Sequence, residues 1–592
     1  MDRVTPARAY FNTKGDFEMK KLIALLIVLV LCFSSCTSLF EGTDTNSNIN
    51  SGDTTGTGNT TGTGDTTGTG NNTGTGNTTG TGNNTGTGNN TGTGNNSGTG
   101  NNTGAGNNTG TGNGDCTDGH SDVNDDGVCD YCNISVIVIV DIFAINDLHG
   151  KINANDSQYG IGGLTTYLKQ EMDDNSILLS SGDMWQGSSE SNLTYGALIT
   201  DWMSELGFVS MTLGNHEYDW AESYIANNSE LADFPLLAIN VYDVDTDERA
   251  EYARASVVVE RDGIEIGIIG AIGDCYSSIS GDVNSGFYFK TGAELTELVK
   301  DEADRLRDEG VDFIIYSIHD GYGSSTTSTR TVTDKELESY YDTALSNGYV
   351  DIVFEAHTHQ SYILKDKYGV YHVQGGGENK KLSRVEVKIN SVNGNSSVST
   401  PKIVSQSTWR YLTADPIVAE LLAKYKDEIA AGDVVLGNNR TEKKSWVLEQ
   451  KVADLYYEFG MELWGDEYDI ALGGGFVRTR SPYDLASGSV TYSDLYSIFP
   501  FDNYLVLCSI SGYDLYYKFL TTDNNDYYVS SDRDLEALKE EAKNNLNKTY
   551  YIVVDTYTST YAYNNCTEMA RCNDAIFARD LLAEYVKKGY WA

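Results

Sequence analysis

The chain has 592 residues, enough for several domains, and a formal net charge of −44, from 85 Asp and Glu against 41 Lys and Arg. This excess of acids excludes the basic surface with which a protein binds a nucleic acid polymer, because phosphates must be neutralised by Lys and Arg. An anionic substrate would instead need a local source of positive charge, such as metal ions.

The first feature along the chain is a candidate export signal. A start at Met19 gives two lysines, an apolar run over Leu22–Phe33 and small residues before Cys36. The run is shorter than the roughly 20 residues that a membrane-spanning helix needs. Residues 19–36 therefore predict a lipoprotein-type signal peptide and an exported protein at the cell surface. It would be anchored to the membrane through a lipid on Cys36, associated with the cell wall, or simply secreted.

Residues 37–114 consist almost entirely of Gly, Thr, Asn, Ser and Asp, in near-repeats of NNTGTG. Such side chains bury no apolar area that could offset the entropy cost of ordering the chain. We therefore predict that this segment is a disordered, flexible linker.

A small segment rich in Cys and Asp, residues 115–133, follows the linker. One interpretation is an EF-hand-like calcium loop, with Gly127 at its sharp turn. Its oxygen ligands would be Asp122, Asn124, Asp126 and Asp130. Another interpretation is a zinc site with three thiolates and one imidazole. Its ligands would be Cys116, His120, Cys129 and Cys132. A third is a disulfide plus an odd thiol. We expect a small knot at 116–132, bound by calcium or zinc or closed by a disulfide.

From residue 137 to about 401, short apolar runs alternate with amphipathic segments, which is typical of an α/β layered domain. The apolar runs include IVIVDIFAI, SILLSS, FVSMTL, VDFIIYSI and YVDIVFEA, and ELTELVKDEADRLRDEG has helical periodicity. A second folded region is predicted over 415–592. There Cys566 and Cys572 lie close enough in sequence to form a disulfide.

Polar motifs follow the apolar runs of the first region: NDLHG, SSGDMWQGS, LGNHEYDW, SIHDGYG and EAHTHQ. In open α/β sheets the carboxyl ends of strands gather at one edge, where ligands bind. A single histidine there is more often a surface residue, but five of the seven histidines of the chain occur in these motifs. Together with nearby Asp and Asn they predict a site for divalent transition metals such as Mn, Fe or Zn.

These motifs, in this order, resemble those of the calcineurin-like metallophosphoesterases, and NDLHG with GNHEYD resembles their 5′-nucleotidase and UDP-sugar hydrolase branch. In the second region, ALGGGFVRT and VTYSDLYSIFPFDN are similar to motifs of the 5′-nucleotidase C-terminal domain. The resemblance implies an α/β fold, with a calcineurin-like metallophosphoesterase layered β-sandwich flanked by helices over 137–401. A second, α+β 5′-nucleotidase C-terminal domain would bind the substrate over 415–592.

By the same resemblance, seven side chains would hold two divalent metal ions (Mn, Zn, Fe or Co). They are Asp147, His149 and His359 for the first ion, Asn215, His319 and His357 for the second, and Asp183 as a bridge between both. His216, oriented by Asp219, would be catalytic and contact the phosphoryl group, which a metal-bridging hydroxide attacks. Ala356 replaces the glycine that usually precedes H-x-H, a change that matters only if the backbone there needs a positive φ.

The resemblance also implies three substrate-binding residues, Arg478, Phe501 and Tyr557. Phe501 would stack on one face of a nucleotide base, and Tyr557 is the candidate for the opposite face. Core packing explains Phe501 equally well, because Pro-Phe after a strand is common.

The implied function is that of an exported dinuclear-metal phosphohydrolase. It would release phosphate from nucleoside 5′-monophosphates and also act on nucleotide sugars or diphosphates. An alternative on the same metal site is a 2′,3′-cyclic nucleotide 2′-phosphodiesterase/3′-nucleotidase. An alternative of another class is a non-catalytic surface-binding protein, which the complete set of ligand residues disfavours.

Overall fold

The structure is a computed structural model. It describes eleven short stretches of backbone between 48 and 111, and then residues 120–130, 134–152, 160–279, 286–326, 329–331, 348–476, 484–521, 527–562, 566–572 and 576–589. The predicted signal peptide, Cys36, Cys116, Cys132 and Arg478 lie outside the described residues. The chain divides into two compact units, residues 1–135 and 136–592, and each is described by itself.

The Gly/Thr/Asn-rich segment carries short parallel strands in its described part. They are β1 Asn48–Asn50, β2 Thr54–Thr57, β3 Thr60–Gly62, β4 Thr66–Thr69, β5 Asn72–Gly74, β6 Thr78–Thr81, β7 Asn84–Thr87, β8 Asn90–Thr93, β9 Asn96–Thr99, β10 Asn102–Thr103 and β11 Asn108–Thr111. Odd-numbered strands pair in one sheet and even-numbered strands in another. The register steps by twelve residues, so that Thr54 pairs with Thr66.

This arrangement differs from the disordered linker that the composition predicts. The composition argument considers only apolar burial, and the segment has almost no apolar residues to bury. A strict repeat offers a different source of order, because each strand finds a copy of itself twelve residues later and pairs with its backbone in register. The stacked repeats thus satisfy their backbone hydrogen bonds among themselves.

The second unit begins with the predicted catalytic domain. Its strands are β12 Ile137–Ile145, β13 Ile177–Ser180, β14 Ser210–Thr212, β15 Leu236–Leu237, β16 Val241–Asp243, β17 Ser256–Arg261, β18 Ile264–Ile272, β19 Phe287–Phe289, β20 Phe313–His319, β21 Arg330–Thr331, β22 Ile352–Phe354, β23 Ser361–Lys365, β24 Tyr371–Gly375, β25 Lys381–Asn390, β26 Ser396–Val398 and β27 Lys402–Ser405. Its helices are α1 Ile161–Glu171, α2 Ser189–Leu193, α3 Ala197–Glu205, α4 Glu222–Leu231 and α5 Ala293–Asp308.

Two seven-stranded sheets of this domain pack face to face. One has the order β15-β14-β13-β12-β25-β26 with β27 added on β25, and the other has the order β17-β18-β20-β22-β24-β23-β21. Alternate residues of β12 serve the two faces of its sheet. Val140 and Ile142 pack between the sheets against Ile315, whereas Phe143 and Ile145 pack on the outer face. The alternation explains why β12 is apolar on both faces.

Helices cover the outer faces of both sheets. In α5 the buried residues Leu295, Val299, Ala303 and Leu306 recur every three or four positions and form one apolar stripe against the second sheet. Helices α1 and α3 cover the first sheet. The predicted layered β-sandwich flanked by helices is confirmed.

The C-terminal region forms the second, α+β domain. Its strands are β28 Val435–Asn439, β29 Ile470–Phe476, β30 Gly488–Thr491, β31 Leu505–Ser511, β32 Tyr527–Ser530, β33 Thr549–Asp555 and β34 Thr567–Arg571. The helices from the connector onward are α6 Pro416–Lys424, α7 Lys426–Ile429, α8 Ser445–Trp464, α9 Tyr492–Ile498, α10 Gly512–Asp514, α11 Leu535–Asn544 and α12 Ala578–Lys587. The sheet order is β32-β29-β33-β31-β34. Helix α8 packs on one face through Val553 and α11 on the other through Val554.

The disulfide expected between Cys566 and Cys572 is not compatible with this sheet. The two residues flank β34 at opposite ends. Six steps of extended chain separate their Cα atoms by about 20 Å, whereas a disulfide needs less than about 7 Å. Closeness in sequence was therefore a poor guide, because the intervening residues form a strand.

Among the described helices, none has the length and hydrophobicity that a membrane crossing requires.

Candidate metal centre

The seven predicted ligand residues come from five strand ends that belong to both sheets. Strands β12, β13 and β14 run parallel in the first sheet, and β20 and β22 run parallel in the second. The residues at or just beyond their carboxyl ends are Asp147, His149, Asp183, Asn215, His319, His357 and His359. All are buried except His357, which is half-buried, and His359, which is exposed. The cluster is therefore most accessible at the end of β22.

The backbone turns sharply at most of these positions. Asp147, His149, Asp183, His357 and His359 have φ between 50° and 64°, in the left-handed region that residues other than glycine seldom adopt. Such conformations carry a cost of about 1–3 kcal/mol each and are characteristic of functional sites. Ala356 is not among the residues with positive φ. Its replacement of a glycine is therefore compatible with the loop.

One group of ligand atoms is formed by Asp147, His149 and His359. The Nε2 atoms of the two imidazoles lie 3.1 Å apart, and Nε2 of His359 lies 3.4 Å from Oδ1 of Asp147. Their potential ligand atoms all lie within 4.8 Å of one another, so that a single ion could contact them together. Asn146 also donates a hydrogen bond from Nδ2 to Oδ2 of Asp147, at 2.6 Å.

A second group lies around the amide oxygen of Asn215. This Oδ1 is 3.2 Å from Nε2 of His319 and 3.0 Å from Nδ1 of His357. The amide oxygen is neutral, so it adds a ligand without adding negative charge toward an anionic substrate. Cys275, which the sequence did not single out, has its thiol within reach of His319 and His357.

Asp183 connects the two groups. Its Oδ2 lies 3.2 Å from Nε2 of His319 and 3.8 Å from Nε2 of His149. Its other oxygen accepts a hydrogen bond from the backbone N–H of His216 at 2.9 Å. The carboxylate therefore has the position of a bridge between the two groups.

Backbone carbonyls orient two of the imidazoles. Nδ1 of His149 lies 2.9 Å from the carbonyl oxygen of Gln186, and Nδ1 of His319 lies 2.7 Å from that of Ser181. A carbonyl can only accept, so Nδ1 carries the proton and Nε2 is left as the ligand atom in each ring. This is the usual second-sphere arrangement around a metal-binding histidine.

The charges of the cluster balance one another. Burial opposes ionisation of Asp183, but the neighbouring His319 and His216 hold its pKa well below the ordinary value. Burial also disfavours the charged form of His319, and Asp183 overrides it and raises the pKa to about 10. For His357, burial and the charge of His319 together lower the pKa to about 4. A bound cation would replace the imidazole protons as the counter-charge of the carboxylates.

Glu217 is a structural residue of the site that the sequence analysis missed. Its buried carboxylate accepts backbone hydrogen bonds from Asp183 at 2.9 Å and Gly214 at 2.7 Å through Oε2. Oε1 accepts from Met184 at 2.9 Å and Trp185 at 3.2 Å. Glu217 thereby ties the loop after β13 to the loop after β14. The fourth letter of GNHE was the only sequence signal for it.

The pair of His216 and Asp219 lies beside the cluster. Nδ1 of His216 is 2.7 Å from Oδ2 of Asp219, and both side chains are slightly less than one-fifth exposed. The ring centroid of His216 is 5.5 Å from that of His149. The imidazole is thus oriented by a carboxylate and lies next to the candidate ligand His149.

Phe501 lies against this histidine rather than in the domain core. Its ring centroid is 5.6 Å from that of His216. Within the described part of the C-terminal domain, Phe501 belongs to neither apolar cluster, whereas Phe499 packs against one of them. Tyr557 is 40% exposed and follows β33, whose Asp555 pairs with Leu505 near Phe501. Both aromatic candidates therefore lie at the same end of the sheet.

In the first unit, the described part of the Cys- and Asp-rich segment forms a compact turn. The carboxylate of Asp122 accepts backbone hydrogen bonds from Asp126 at 3.1 Å and Gly127 at 2.9 Å. Gly127 has a φ of 78°, as the sharp turn of a calcium loop requires. His120, a ligand in the zinc interpretation, is exposed.

Two family models match the chain. Calcineurin-like phosphoesterase matches residues 140–361, and the 5′-nucleotidase, C-terminal domain matches residues 430–538. Both matched ranges fall within the second unit, and the first contains all seven candidate ligands.

Individual proteins are similar to the chain over nearly two thirds of its length or more. Protein UshA of Yersinia enterocolitica is 25% identical over 63% of this chain and 74% of its own length. A 5′-nucleotidase of Vibrio parahaemolyticus is 24% identical over 62% of this chain and 72% of its own length. An apyrase of Tabanus yao is 27% identical over 63% of this chain and 71% of its own length. The crystal structure of a 5′-nucleotidase precursor from Thermus thermophilus covers 76% of this chain with a TM-score of 0.58 and 18% identity, over 96% of its own length. At that identity the likeness concerns the fold.

Proposed function

The chain is a metal-dependent phosphoesterase of the 5′-nucleotidase type, and from that premise we propose that it releases phosphate from nucleoside 5′-monophosphates. Nucleotide sugars and diphosphates are further candidate substrates. The observation that carries the proposal is the convergence of seven candidate ligand side chains beside His216, with the aromatic ring of Phe501 also next to that imidazole.

We assign the ligands to two metal ions as the sequence suggested. They are Asp147, His149 and His359 for the first ion, Asn215, His319 and His357 for the second, and Asp183 for both. The mixture of imidazole nitrogens with carboxylate and amide oxygens fits Mn, Fe, Zn or Co. When bound, two such ions supply Lewis-acid polarisation of the phosphoryl oxygens and a water of lowered pKa.

The chain's own residues do the rest of the work. Asp219 holds His216 through Nδ1, which leaves Nε2 for the phosphoryl oxygens or the leaving group. There it can donate a hydrogen bond to the ester oxygen while the bond to phosphorus breaks. Gln186 and Ser181 keep His149 and His319 in fixed orientations, so that the ligand atoms do not need to reorganise.

For the nucleoside part we propose Phe501 and Tyr557 as the aromatic contacts, with Arg478 as the basic one. The position of Phe501 beside His216 and the exposure of Tyr557 support this assignment. Aromatic side chains stack on bases with little regard to which base is present. The identity of the base therefore has to be measured.

The deciding experiment is hydrolysis by the full chain of AMP, UMP, ADP, UDP-glucose and 2′,3′-cyclic AMP. Each substrate is assayed after EDTA treatment and again with added Mn²⁺, Zn²⁺ or Co²⁺, and products are separated by chromatography, because ring opening of the cyclic substrate frees no phosphate. Metal-restored cleavage of AMP in preference to the cyclic substrate supports the 5′-nucleotidase proposal. Preference for the cyclic substrate would replace it with the phosphodiesterase alternative. Absence of cleavage would favour a binding protein.

Two further assignments are proposed. The apolar run before Cys36 supports export, with a lipid on Cys36, cell-wall association or secretion as the possible outcomes of cell fractionation. The turn at Asp122 and Gly127 supports calcium rather than zinc in the segment 116–132. Calcium titration of the intact chain, compared with an Asp122→Ala variant, tests that assignment.

A further inference from the structure

Three consecutive backbone carbonyls, those of Phe499, Pro500 and Phe501, are each held by side chains from distant parts of the chain. Arg579, the second residue of α12, donates from Nη1 to the carbonyls of Phe499 at 3.0 Å and Phe501 at 3.2 Å. It also forms an ion pair with Asp502 and is only 2% exposed. A single guanidinium thus fixes this segment from the C-terminal domain.

The catalytic domain holds the carbonyl between those two. Gln186 donates from Nε2 to the carbonyl of Pro500 at 3.0 Å, and Asn192 donates from Nδ2 to the same oxygen at 3.1 Å. The backbone carbonyl of Gln186 also accepts from His149. One residue therefore contacts both a candidate metal ligand and the segment that carries Phe501.

Simple packing does not explain an arginine in this position. A buried guanidinium must recover the cost of leaving water, whereas an apolar side chain of similar length would fill the volume without that cost. What arginine adds is a rigid fork that can bind two carbonyls and a carboxylate at once. Its charged end also lies 3.8 Å from the ring centroid of Tyr496. These directed contacts define where the backbone of Phe501 lies.

We propose that Arg579, helped by Gln186 and Asn192, is a positioning residue that fixes Phe501 beside His216. It thereby sets the affinity for phosphate esters whose leaving group carries a flat ring. The inference rests on the proposed function, because it assumes that Phe501 stacks on the substrate. Esters without a ring do not use Phe501, so their hydrolysis does not depend on Arg579.

The test is steady-state kinetics of the metal-loaded full chain with AMP and with glycerol 2-phosphate, a ring-free ester. The variants are Arg579→Met, Arg579→Lys and Asn192→Leu, the last of which removes a hydrogen bond to the carbonyl of Pro500. The matched control is Arg571→Met, because Arg571 forms an ion pair with Glu568 on the edge strand β34 and is part of no site described above.

We expect Arg579→Met to raise KM for AMP about five- to tenfold, the loss of roughly one stacking contact. Its kcat/KM for glycerol 2-phosphate should stay within about twofold of the wild type. The KM of Arg579→Lys for AMP should lie between those of the wild type and Arg579→Met, because lysine keeps the positive charge and lacks the planar, forked set of donors. Asn192→Leu should raise KM for AMP as well, and Arg571→Met should leave the kinetics of both substrates unchanged.

An unchanged KM for AMP in folded Arg579→Met overturns the inference. Equal losses on both substrates with a lower melting temperature also overturn it, because they indicate only a structural role. If Arg579→Met does not fold, Asn192→Leu decides by the same comparison, since it removes a donor to the carbonyl of Pro500 that comes from the catalytic domain. Failure of the wild type to hydrolyse either ester would contradict the proposed function instead.

Discussion

Asp183 is the residue on which both groups of ligand atoms depend. Its Oδ2 lies within 3.8 Å of one imidazole from each group. Replacing it with Asn keeps the shape and removes the negative charge that a pair of cations needs. We expect Asp183→Asn to lower turnover by more than about a hundredfold. Loss of a residue that only supports a metal ligand costs about ten- to hundredfold, and loss of a ligand should cost more. Phosphate release and metal content by mass spectrometry check this, and full activity with full metal content would refute the assignment.

The side chain of Glu217 supports that site by accepting hydrogen bonds from backbone N–H groups of the two loops. In the wild type, four backbone N–H groups donate to the two carboxylate oxygens of Glu217. In Glu217→Gln an NH₂ group replaces one of these oxygens, so at least one backbone N–H loses its acceptor. We expect metal affinity to fall about ten- to hundredfold and the free energy of unfolding to fall about 1–3 kcal/mol. Metal titration and urea unfolding measure the two effects. Glu297→Gln, on the exposed face of α5, is the control and should change neither.

Phe501 tests the substrate side at the same scale. In Phe501→Ala the metal centre is untouched and only the ring beside His216 is lost. We expect KM for AMP to rise about tenfold or less, as for one aromatic contact, with little change for glycerol 2-phosphate. Kinetics on both substrates decide the matter, because a core residue would impair both equally and lower the melting temperature.

The sequence was informative about residues whose own atoms face the site and uninformative about those that act through the backbone. His149, Asp183 and Asn215 could be selected because imidazole, carboxylate and amide are recognisable as ligand types after a strand. The sequence does not show that Glu217 accepts hydrogen bonds from the backbone of residues 183–185, or that Arg579 donates to carbonyls about 80 residues away. Those contacts depend on the folded path of the chain.

At the scale of elements, a buried polar cluster lies behind the loop that carries His357. His372 of β24 lies between Glu355 and Asp366, at 2.7 Å and 3.7 Å, and Tyr362 donates to Glu355. All four residues are buried. The cluster joins β22, β23 and β24, so that its charge state contributes to the stability of this edge of the second sheet.

The cluster predicts a pH dependence of stability. Burial disfavours the charged imidazole, but Asp366 and Glu355 override it and raise the pKa of His372 to about 9 from 6.5. Because the folded pKa is raised, the contribution is complete below about pH 6.5 and is lost as the pH rises through about 9, by at most about 3 kcal/mol. Urea unfolding in EDTA at several pH values should show this loss, and His372→Gln should lack it. An identical pH profile in both proteins would contradict the prediction.

Elements were predictable where apolar periodicity was strong. The strand β12 can be recognised as a continuous apolar, β-branched run, because residues on both of its faces pack in a core. The helix α5 can be recognised because burial of one face repeats apolar residues every three or four positions. The repeat strands β1–β11 could not be predicted in this way, because strands held by backbone pairing between copies have no apolar pattern in their sequence. The supposed disulfide failed for a related reason, since β34 was not recognised as a strand.

At the scale of the whole second unit, the proposed metal centre lies where the two sheets of the catalytic domain meet. Its candidate ligands follow β12, β13 and β14 in one sheet and β20 and β22 in the other. Ions that bind only this arrangement stabilise the folded state by about 2.7 kcal/mol at a hundredfold excess over Kd. We expect the melting temperature to fall by a few degrees in EDTA and to recover with Mn²⁺ or Zn²⁺. The Asp183→Asn protein should respond less, and an equal response would point to another metal site.

The twelve-residue register of the first unit has a consequence for how the length of this segment can vary. Parallel strands lie about 4.8 Å apart, so each additional copy of the repeat lengthens both sheets by one strand spacing. Insertion or removal of a whole twelve-residue unit exchanges one strand pairing for an equivalent one. Such changes leave the register of the remaining strands intact. The segment can therefore change its length in fixed increments while the sequence of the enzyme beyond it stays the same.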